Sequence, residues 1–339
     1  MRLIIQIPCY NEEAHLAETV AALPRTLSGF DRVEILVIDD GSTDATSGVA
    51  RAAGATYLLR LPVNLGLARA FQAGLDAALK LGADVIVNTD ADNQYRGADI
   101  ALLVQPILAG RADMVIGDRA PHRLMHFGRS KRLLQRLGSW VVRQLSGTSV
   151  PDAASGFRAF SRRAALRLNV FTNFTYTLET IIQAGKKQIA IDHVPIHTNP
   201  EVRPSRLFGS VSTYVRQSVT TLVRMYALYE PLKVFWGLGA VCVGSGTLIG
   251  VRFLVSYLAG EGKGHVQSLI LAAILLIIGF QTVLIGLVAD LIGGNRRLLE
   301  DTLFRVRELE LRLGEGPDVV RLDEPFEPAA RPRAERRAP

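Results

Sequence analysis

Along the first 120 residues, short runs rich in Val, Ile and Leu alternate with longer stretches whose apolar positions recur at helical spacing. Leu3–Pro8, Val33–Asp39, Ala55–Leu59, Asp84–Thr89 and Met114–Gly117 are dominated by apolar residues and read as strands buried on both faces. Between them, Glu12–Leu27, Asp44–Ala53, Leu65–Leu81 and Asp99–Ala109 read as helices. Asn11 and Ser42 are placed to cap helix starts, and Gly29, Gly54, Gly82 and Gly110 sit where helices should stop. Alternation of this kind predicts an α/β fold, a mostly parallel Rossmann-like sheet with helices on both faces. Ligands of such sheets bind beyond the carboxyl ends of the strands.

After Arg119 the alternation stops. Residues 121–146 form a basic amphipathic segment, and Phe208–Tyr229 repeats the pattern with Val211, Val215, Val219, Leu222 and Tyr226 near helical spacing. Each can lie in a membrane interface with its arginines at the head groups, or pack on the sheet as a surface helix. The second segment leads into an apolar run, which favours the membrane. Leu232–Leu258 and Ser268–Ile292 each exceed the roughly 20 apolar residues that cross a bilayer. The connector Ala259–Val266 is short, so the two predict a transmembrane hairpin. Arg224, Lys233, Arg296 and Arg297 flank its outer ends, while the connector carries only Lys263, which orients both chain ends to the cytosol. Arg252 and Asp290 fall near opposite surfaces of such a hairpin, where snorkelling explains both better than pairing does.

The expected organisation is therefore a soluble domain over 1–206, a juxtamembrane helix over 207–231, a hairpin over 232–293, a cytosolic helix over 294–314, and a disordered tail over 315–339 rich in Pro, Glu and Arg. The expected location is the inner (cytoplasmic) membrane, crossed twice, with the soluble domain on the cytosolic side. Leu3–Ile7 is too short an apolar core for a signal peptide. The net charge of +7 favours phosphate-bearing or anionic-lipid partners. Its concentration ahead of the apolar runs suits a membrane surface and a pyrophosphate, and nucleic acid is not expected. The 2 cysteines, Cys9 and Cys242, occupy unlike contexts, which excludes a disulfide framework or a structural zinc site.

Polar clusters follow the predicted strands in order. Pro8-Cys9-Tyr10-Asn11-Glu12-Glu13 ends the first, Asp39-Asp40-Gly41-Ser42-Thr43-Asp44 the second, Asn64-Leu65-Gly66-Leu67-Ala68-Arg69 the third and Thr89-Asp90-Ala91-Asp92-Asn93-Gln94 the fourth. Each alone is a common turn or cap sequence. Their succession along one sheet is the informative feature. Together the clusters resemble those of family 2 glycosyltransferases with the GT-A fold. Asp152-Ala153-Ala154-Ser155-Gly156-Phe157-Arg158, Arg203-Pro204-Ser205-Arg206-Leu207 and the hairpin narrow the resemblance to polyprenyl-phosphate sugar transferases, a group that includes dolichol-phosphate mannose synthases.

The resemblance implies a nucleotide-sugar donor, a polyprenyl-phosphate acceptor and inversion by direct displacement. Asp90 and Asp92 can offer carboxylate oxygens to Mg²⁺ or Mn²⁺, with Gln94 matching the third metal position. A cation there acts as a Lewis acid on the leaving diphosphate. Asp39 or Asp40 matches the position that holds the nucleotide, and Pro8, Tyr10 and Glu12 match the loop lining that pocket. Arg69 is either a nucleotide or phosphate ligand or a residue riding a helix face. Arg119 resembles a phosphate-contacting arginine. Arg203 and Arg206 match a pyrophosphate-binding loop, in which Arg206 replaces a lysine and so alters the geometry. Asp152 matches a residue near the reaction centre, better suited to orienting the sugar than to removing a proton, because a lipid phosphate is already anionic. Arg129, Lys131 and Arg132 are candidates for the acceptor phosphate, or else a solvated basic face. His193 and His197 alternate on a strand near Pro195 and read as structural. A processive polysaccharide synthase would need a Gln-x-x-Arg-Trp-type motif and further spans. Another membrane acceptor, a non-catalytic nucleotide-sugar-binding scaffold and a homo-oligomer all stay open.

Overall fold

The computed structural model describes residues 1–119, 146–170, 176–200, 229–260, 266–314 and 319–322, with isolated positions between them. Two compact units emerge, one of residues 1–205 with 311–339 and the other of residues 206–310.

The first unit is built on one eight-stranded sheet. In chain order the strands are β1 (Arg2–Cys9), β2 (Arg32–Asp39), β3 (Tyr57–Arg60), β4 (Val85–Asn88), β5 (Met114–Asp118), β6 (Arg158–Ser161), β7 (Ile191–Pro195) and β8 (Val320–Arg321). Their spatial order is β7-β5-β6-β4-β1-β2-β3-β8. β1 pairs parallel with β2 and β4, β2 with β3, and β5 with β7. β6 runs antiparallel to both β4 and β5, and β8 antiparallel to β3. The carboxyl ends of β1, β2, β4 and β5 thus share one sheet edge with the start of β6. All five strands read from the sequence are present.

Leu3, Ile4, Ile5 and Ile7 are all fully buried, so both faces of β1 are covered, as parallel sheets require. Helices α1 (Leu16–Ala22), α2 (Thr46–Ala52) and α4 (Ile100–Leu108) contribute Leu16, Val20, Ala50, Ile100 and Leu103 to the core that holds Ile5, Ile7, Val37 and Val87. Helix α3 (Leu67–Lys80) packs on β1 and β2, and joins α5 (Arg162–Arg167) and α6 (Tyr176–Lys186). Phe71 of α3 stacks on Tyr176 of α6 at 3.8 Å between ring centres.

Two capping expectations are corrected. Helices α1 and α2 start at His15 and Ala45 without a side-chain cap. Asn11 and Ser42 lace the loops after β1 and β2 together instead: the Asn11 amide donates to Ser42 Oγ (2.9 Å), and the Thr43 amide donates to Asn11 Oδ1 (2.9 Å). A third correction concerns the tail. Val320 and Arg321 pair with Leu58 and Tyr57, the Leu322 amide donates to the Thr56 carbonyl (2.9 Å), and Leu322 packs against the core. The chain is therefore ordered at 320–322, within the segment read as disordered.

The second unit contains α7 (Pro231–Leu258) and most of α8 (Val266–Leu313). Their apolar windows have mean hydropathies of 1.8 and 2.6, yet only 11% and 17% of them is buried, unlike the core helices of a soluble protein. Two helices long and apolar enough to cross a membrane are therefore present. They meet along small residues: a Cβ at Gly279 would lie 2.6 Å from Val243 Cγ2, and one at Gly246 would lie 3.0 Å from the Ala272 carbonyl. Gly286 abuts Phe235, so the helices run antiparallel. Arg252 lies beyond the Gly246–Ala272 contact and Asp290 beyond the Gly286–Phe235 contact, at opposite ends of the pair. The expected break between the second span and a separate helix over 294–314 is corrected: α8 is continuous for 48 residues. The basic segment over 121–146 and the juxtamembrane segment over 207–231 lie largely outside the described residues.

Candidate active site

The sheet edge gathers the loops after β1, β2 and β4, the end of β5 and the loop before β6. The acidic loop after β4 is held from three sides. From α1, Thr19 Oγ1 donates to the Ala91 carbonyl (2.8 Å), and Glu18 accepts from Asn93 Nδ2 (3.0 Å). Beyond β7, the Asn199 amide donates to the Gln94 carbonyl (2.9 Å), and Asn199 Nδ2 donates to the Asn93 carbonyl (2.8 Å). Tyr95, buried within the loop, accepts from the Gly156 amide (3.0 Å) and stacks on Phe157. Asp92 accepts from the Gln94 amide at 3.1 Å.

Asp90 is the most perturbed carboxyl of the site. Burial first, and then the neighbouring Asp92 charge, push it up to about 7, against the pull of Arg119 and Arg158. A Cβ at Gly156 would lie 3.0 Å from both Asp90 oxygens and 2.9 Å from Tyr176 Oη, so only glycine leaves that carboxylate its room. Two adjacent carboxylates, one already resisting ionisation, form a donor set that a divalent cation relieves, and oxygen ligands suit Mg²⁺ and Mn²⁺ alike. Among the described residues no group of three His, Cys, Asp or Glu side chains is arranged to hold a metal. A cation here would rest on Asp90 and Asp92, with Gln94, water and diphosphate oxygens to complete its shell.

Arg119 and Asp152 meet as a bidentate ion pair, Nε to Oδ2 at 2.7 Å and Nη2 to Oδ1 at 3.1 Å. Asp152 is 1% exposed. Burial works against the Arg119 cation, but Asp152, Tyr95 and Asp90 together outweigh it and raise the pKa. Read from the sequence, these two residues have separate roles; in the structure they form one unit at the end of β5.

Arg158 was missed as a site residue. It is fully buried, and burial lowers its pKa to about 10. Its guanidinium donates to the carbonyls of Ser155 (2.7 Å), Thr177 (2.8 Å) and Ala153 (2.9 Å) and to Thr180 Oγ1 (2.7 Å). It therefore fastens the loop that carries Asp152 and Gly156. Asn88 adds to this, donating from Nδ2 to the Gly156 carbonyl (2.9 Å) and to Tyr176 Oη (2.8 Å). The available signal was a cation opening a short apolar run just after Gly156.

The donor-side residues divide. Asp39 accepts from the Ser42 amide (2.8 Å) and the Ser47 hydroxyl. Asp40 accepts from the amides of Leu65 and Gly66, each at 2.8 Å, and burial nevertheless raises its pKa. Asp40 thereby fixes the turn into α3. Pro8 and Glu12 are buried, Tyr10 is 43% exposed, and Arg69 is exposed on the first turn of α3. Arg129, Lys131, Arg132, Arg203 and Arg206 lie outside the described residues.

A half-parallel α/β sheet with its acidic and basic groups collected at one carboxyl edge defines a GT-A transferase. The chain belongs to glycosyl transferase family 2, whose model matches residues 4–168. A UDP-N-acetylglucosamine–dolichyl-phosphate N-acetylglucosaminyltransferase of Methanococcus voltae is 30% identical over 57% of this chain and 83% of that protein. A polyprenol monophosphomannose synthase of Mycolicibacterium smegmatis is 28% identical over 62% of this chain and 82% of that one. Glucosyl-3-phosphoglycerate synthase of Mycobacterium tuberculosis, solved with Mn²⁺, UDP and glucosyl-3-phosphoglycerate, shares the fold at a TM-score of 0.54 and 23% identity. That match covers 67% of this chain and 80% of the other.

Proposed function

We propose that the protein transfers a hexose from a UDP- or GDP-sugar to a polyprenyl phosphate at the cytosolic face of the cytoplasmic membrane. The observation that carries this reading is Asp90, wedged against Gly156 and repelled by Asp92, beside the Arg119–Asp152 ion pair at the sheet edge. The named activities of the Methanococcus and Mycolicibacterium relatives supply the acceptor class. The two apolar helices supply a place for the lipid.

In this reading Asp90, Asp92 and Gln94 hold Mg²⁺ or Mn²⁺. A cation held there would supply the positive charge that offsets the leaving diphosphate. Asp39, Pro8, Tyr10 and Glu12 line the nucleotide pocket, Asp40 holds its floor, and Arg69, Arg203 and Arg206 meet phosphate. The acceptor phosphate, steered by Arg129, Lys131 and Arg132, attacks the anomeric carbon as the bond to the diphosphate oxygen breaks. The configuration inverts. No general base is needed, because the attacking oxygen is already anionic. Asp152, paired with Arg119, orients the sugar and keeps the guanidinium at the end of β5. The hairpin crosses the membrane with both chain ends in the cytosol.

The reading is tested with purified protein in detergent, undecaprenyl phosphate and a panel of labelled UDP- and GDP-sugars. The expected result is label in the organic phase for one donor, abolished by EDTA and restored by Mn²⁺ or Mg²⁺. Metal-dependent donor breakdown without lipid labelling would show the acceptor assignment to be wrong. Absence of both breakdown and nucleotide binding would favour a non-catalytic scaffold.

A further inference from the structure

Asn93 lies between the last two members of the proposed metal set, Asp92 and Gln94, and adopts φ of 55°, a left-handed conformation uncommon for side-chain-bearing residues but open to asparagine. The turn is held by Glu18 of α1 on the Asn93 side chain and by Asn199, beyond β7, on the backbone. Asn199 caps the turn twice, its amide on the Gln94 carbonyl at 2.9 Å and its Nδ2 on the Asn93 carbonyl at 2.8 Å. Its predecessor Thr198 forms an antiparallel bridge with Tyr95.

The segment that delivers Asn199 is itself anchored. Ile196 is buried, and its amide donates to the Asp118 carbonyl at 3.0 Å. The His197 amide donates to Asp99 Oδ2 at 2.6 Å. A strap over residues 196–199 therefore runs from β7 across the acidic loop, and its only side-chain bond to that loop is from Asn199 among the described residues.

We infer that Asn199 is a positioning residue for the metal-binding loop, setting the separation and direction of Asp92 and Gln94 through the carbonyls of Asn93 and Gln94. The inference rests on the metal assignment proposed above. An alanine keeps the backbone bond and loses the Nδ2 donor, leaving the Asn93 carbonyl unmet. An aspartate loses the donor as well and sets a carboxylate against that carbonyl. Partners behind metal ligands are worth about 10-fold or more in metal affinity, and the same scale applies here.

The test compares the full-length wild type with Asn199→Ala and Asn199→Asp. Mn²⁺ binding in the presence of UDP is followed by the EPR signal of the free ion. Amide hydrogen exchange of residues 92–95 is followed in metal-free protein. The inference expects Mn²⁺ affinity to fall about 10-fold in Asn199→Ala and further in Asn199→Asp. It also expects faster exchange confined to the acidic loop, and unchanged UDP binding without metal. Wild-type Mn²⁺ affinity and loop protection in both variants would overturn it, as would exchange that rises across the whole sheet, which marks a general structural role. A wild-type protein that holds no Mn²⁺ would overturn the metal assignment itself, and this inference with it.

Discussion

Asp90 carries a cost in the metal-free protein that can be measured. Its carboxyl titrates near 3.8 when unperturbed and at about 7 in the fold. Between those values the folded state holds a proton that the unfolded state has released. The associated stability is full below about pH 4 and is lost as pH rises through 7. Asp90→Asn removes the penalty, so metal-free Asp90→Asn should melt above the wild type at pH 8, with the gap closing towards pH 4. Turnover should fall about 100-fold or more. A gap independent of pH would mean that Asp90 is not the buried, repelled carboxyl described here. Gly156→Ala tests the same spot from the other side. A methyl group 3.0 Å from the Asp90 oxygens must displace them, so the variant should stay folded by circular dichroism and lose most of its transfer activity. Full activity would show that the wedge is unimportant.

Which elements could be read from the chain follows from what each residue does locally. The five strands were legible because both sheet faces bury Val, Ile and Leu, and the acidic pair because its loop follows the central strand β4. β6 was not legible. Its opening residue Arg158 is a buried cation satisfied by the carbonyls of its own loop and of Thr177, and hydrophobic patterning has no term for that. α6 hid for a related reason: Glu179, Thr180 and Gln183 are buried polar residues that mask its apolar face. The caps at Asn11 and Ser42 failed because those side chains bind each other's loops instead of helix amides. β8 failed because a two-residue strand has no periodicity to detect. Its role is testable. A chain ending at Gly316 uncovers the edge of β3 and loses the Leu322 packing, so it should lose about 1–3 kcal/mol of stability and aggregate sooner on heating while still binding nucleotide. An unchanged melting curve would show that the tail strand contributes nothing.

At the scale of the whole molecule, one unit carries the chemistry and the other carries apolar surface. The apolar faces of α7 and α8 are left uncovered, whereas their glycine-lined faces are closely packed on each other. Gly279→Leu would force a side chain into Val243 and Cys242, costing about 1–3 kcal/mol through overpacking. It should therefore lower the detergent melting temperature of the hairpin while leaving nucleotide binding by the first unit intact. Equal melting would contradict the hairpin packing. α8, about 70 Å long at roughly 1.5 Å per residue, exceeds the ~30 Å hydrocarbon core, so in the hairpin proposed above its charged second half from Arg296 onward would lie outside the membrane. The division of labour makes the acceptor the decisive question. The measurement that addresses it offers the purified enzyme, with Mn²⁺ and its labelled donor, either undecaprenyl phosphate or undecaprenol. The account predicts metal-dependent labelling of the phosphate alone, because only the phosphate brings an oxygen that is already anionic and so attacks without a general base. Labelling of the alcohol at a comparable rate would contradict it.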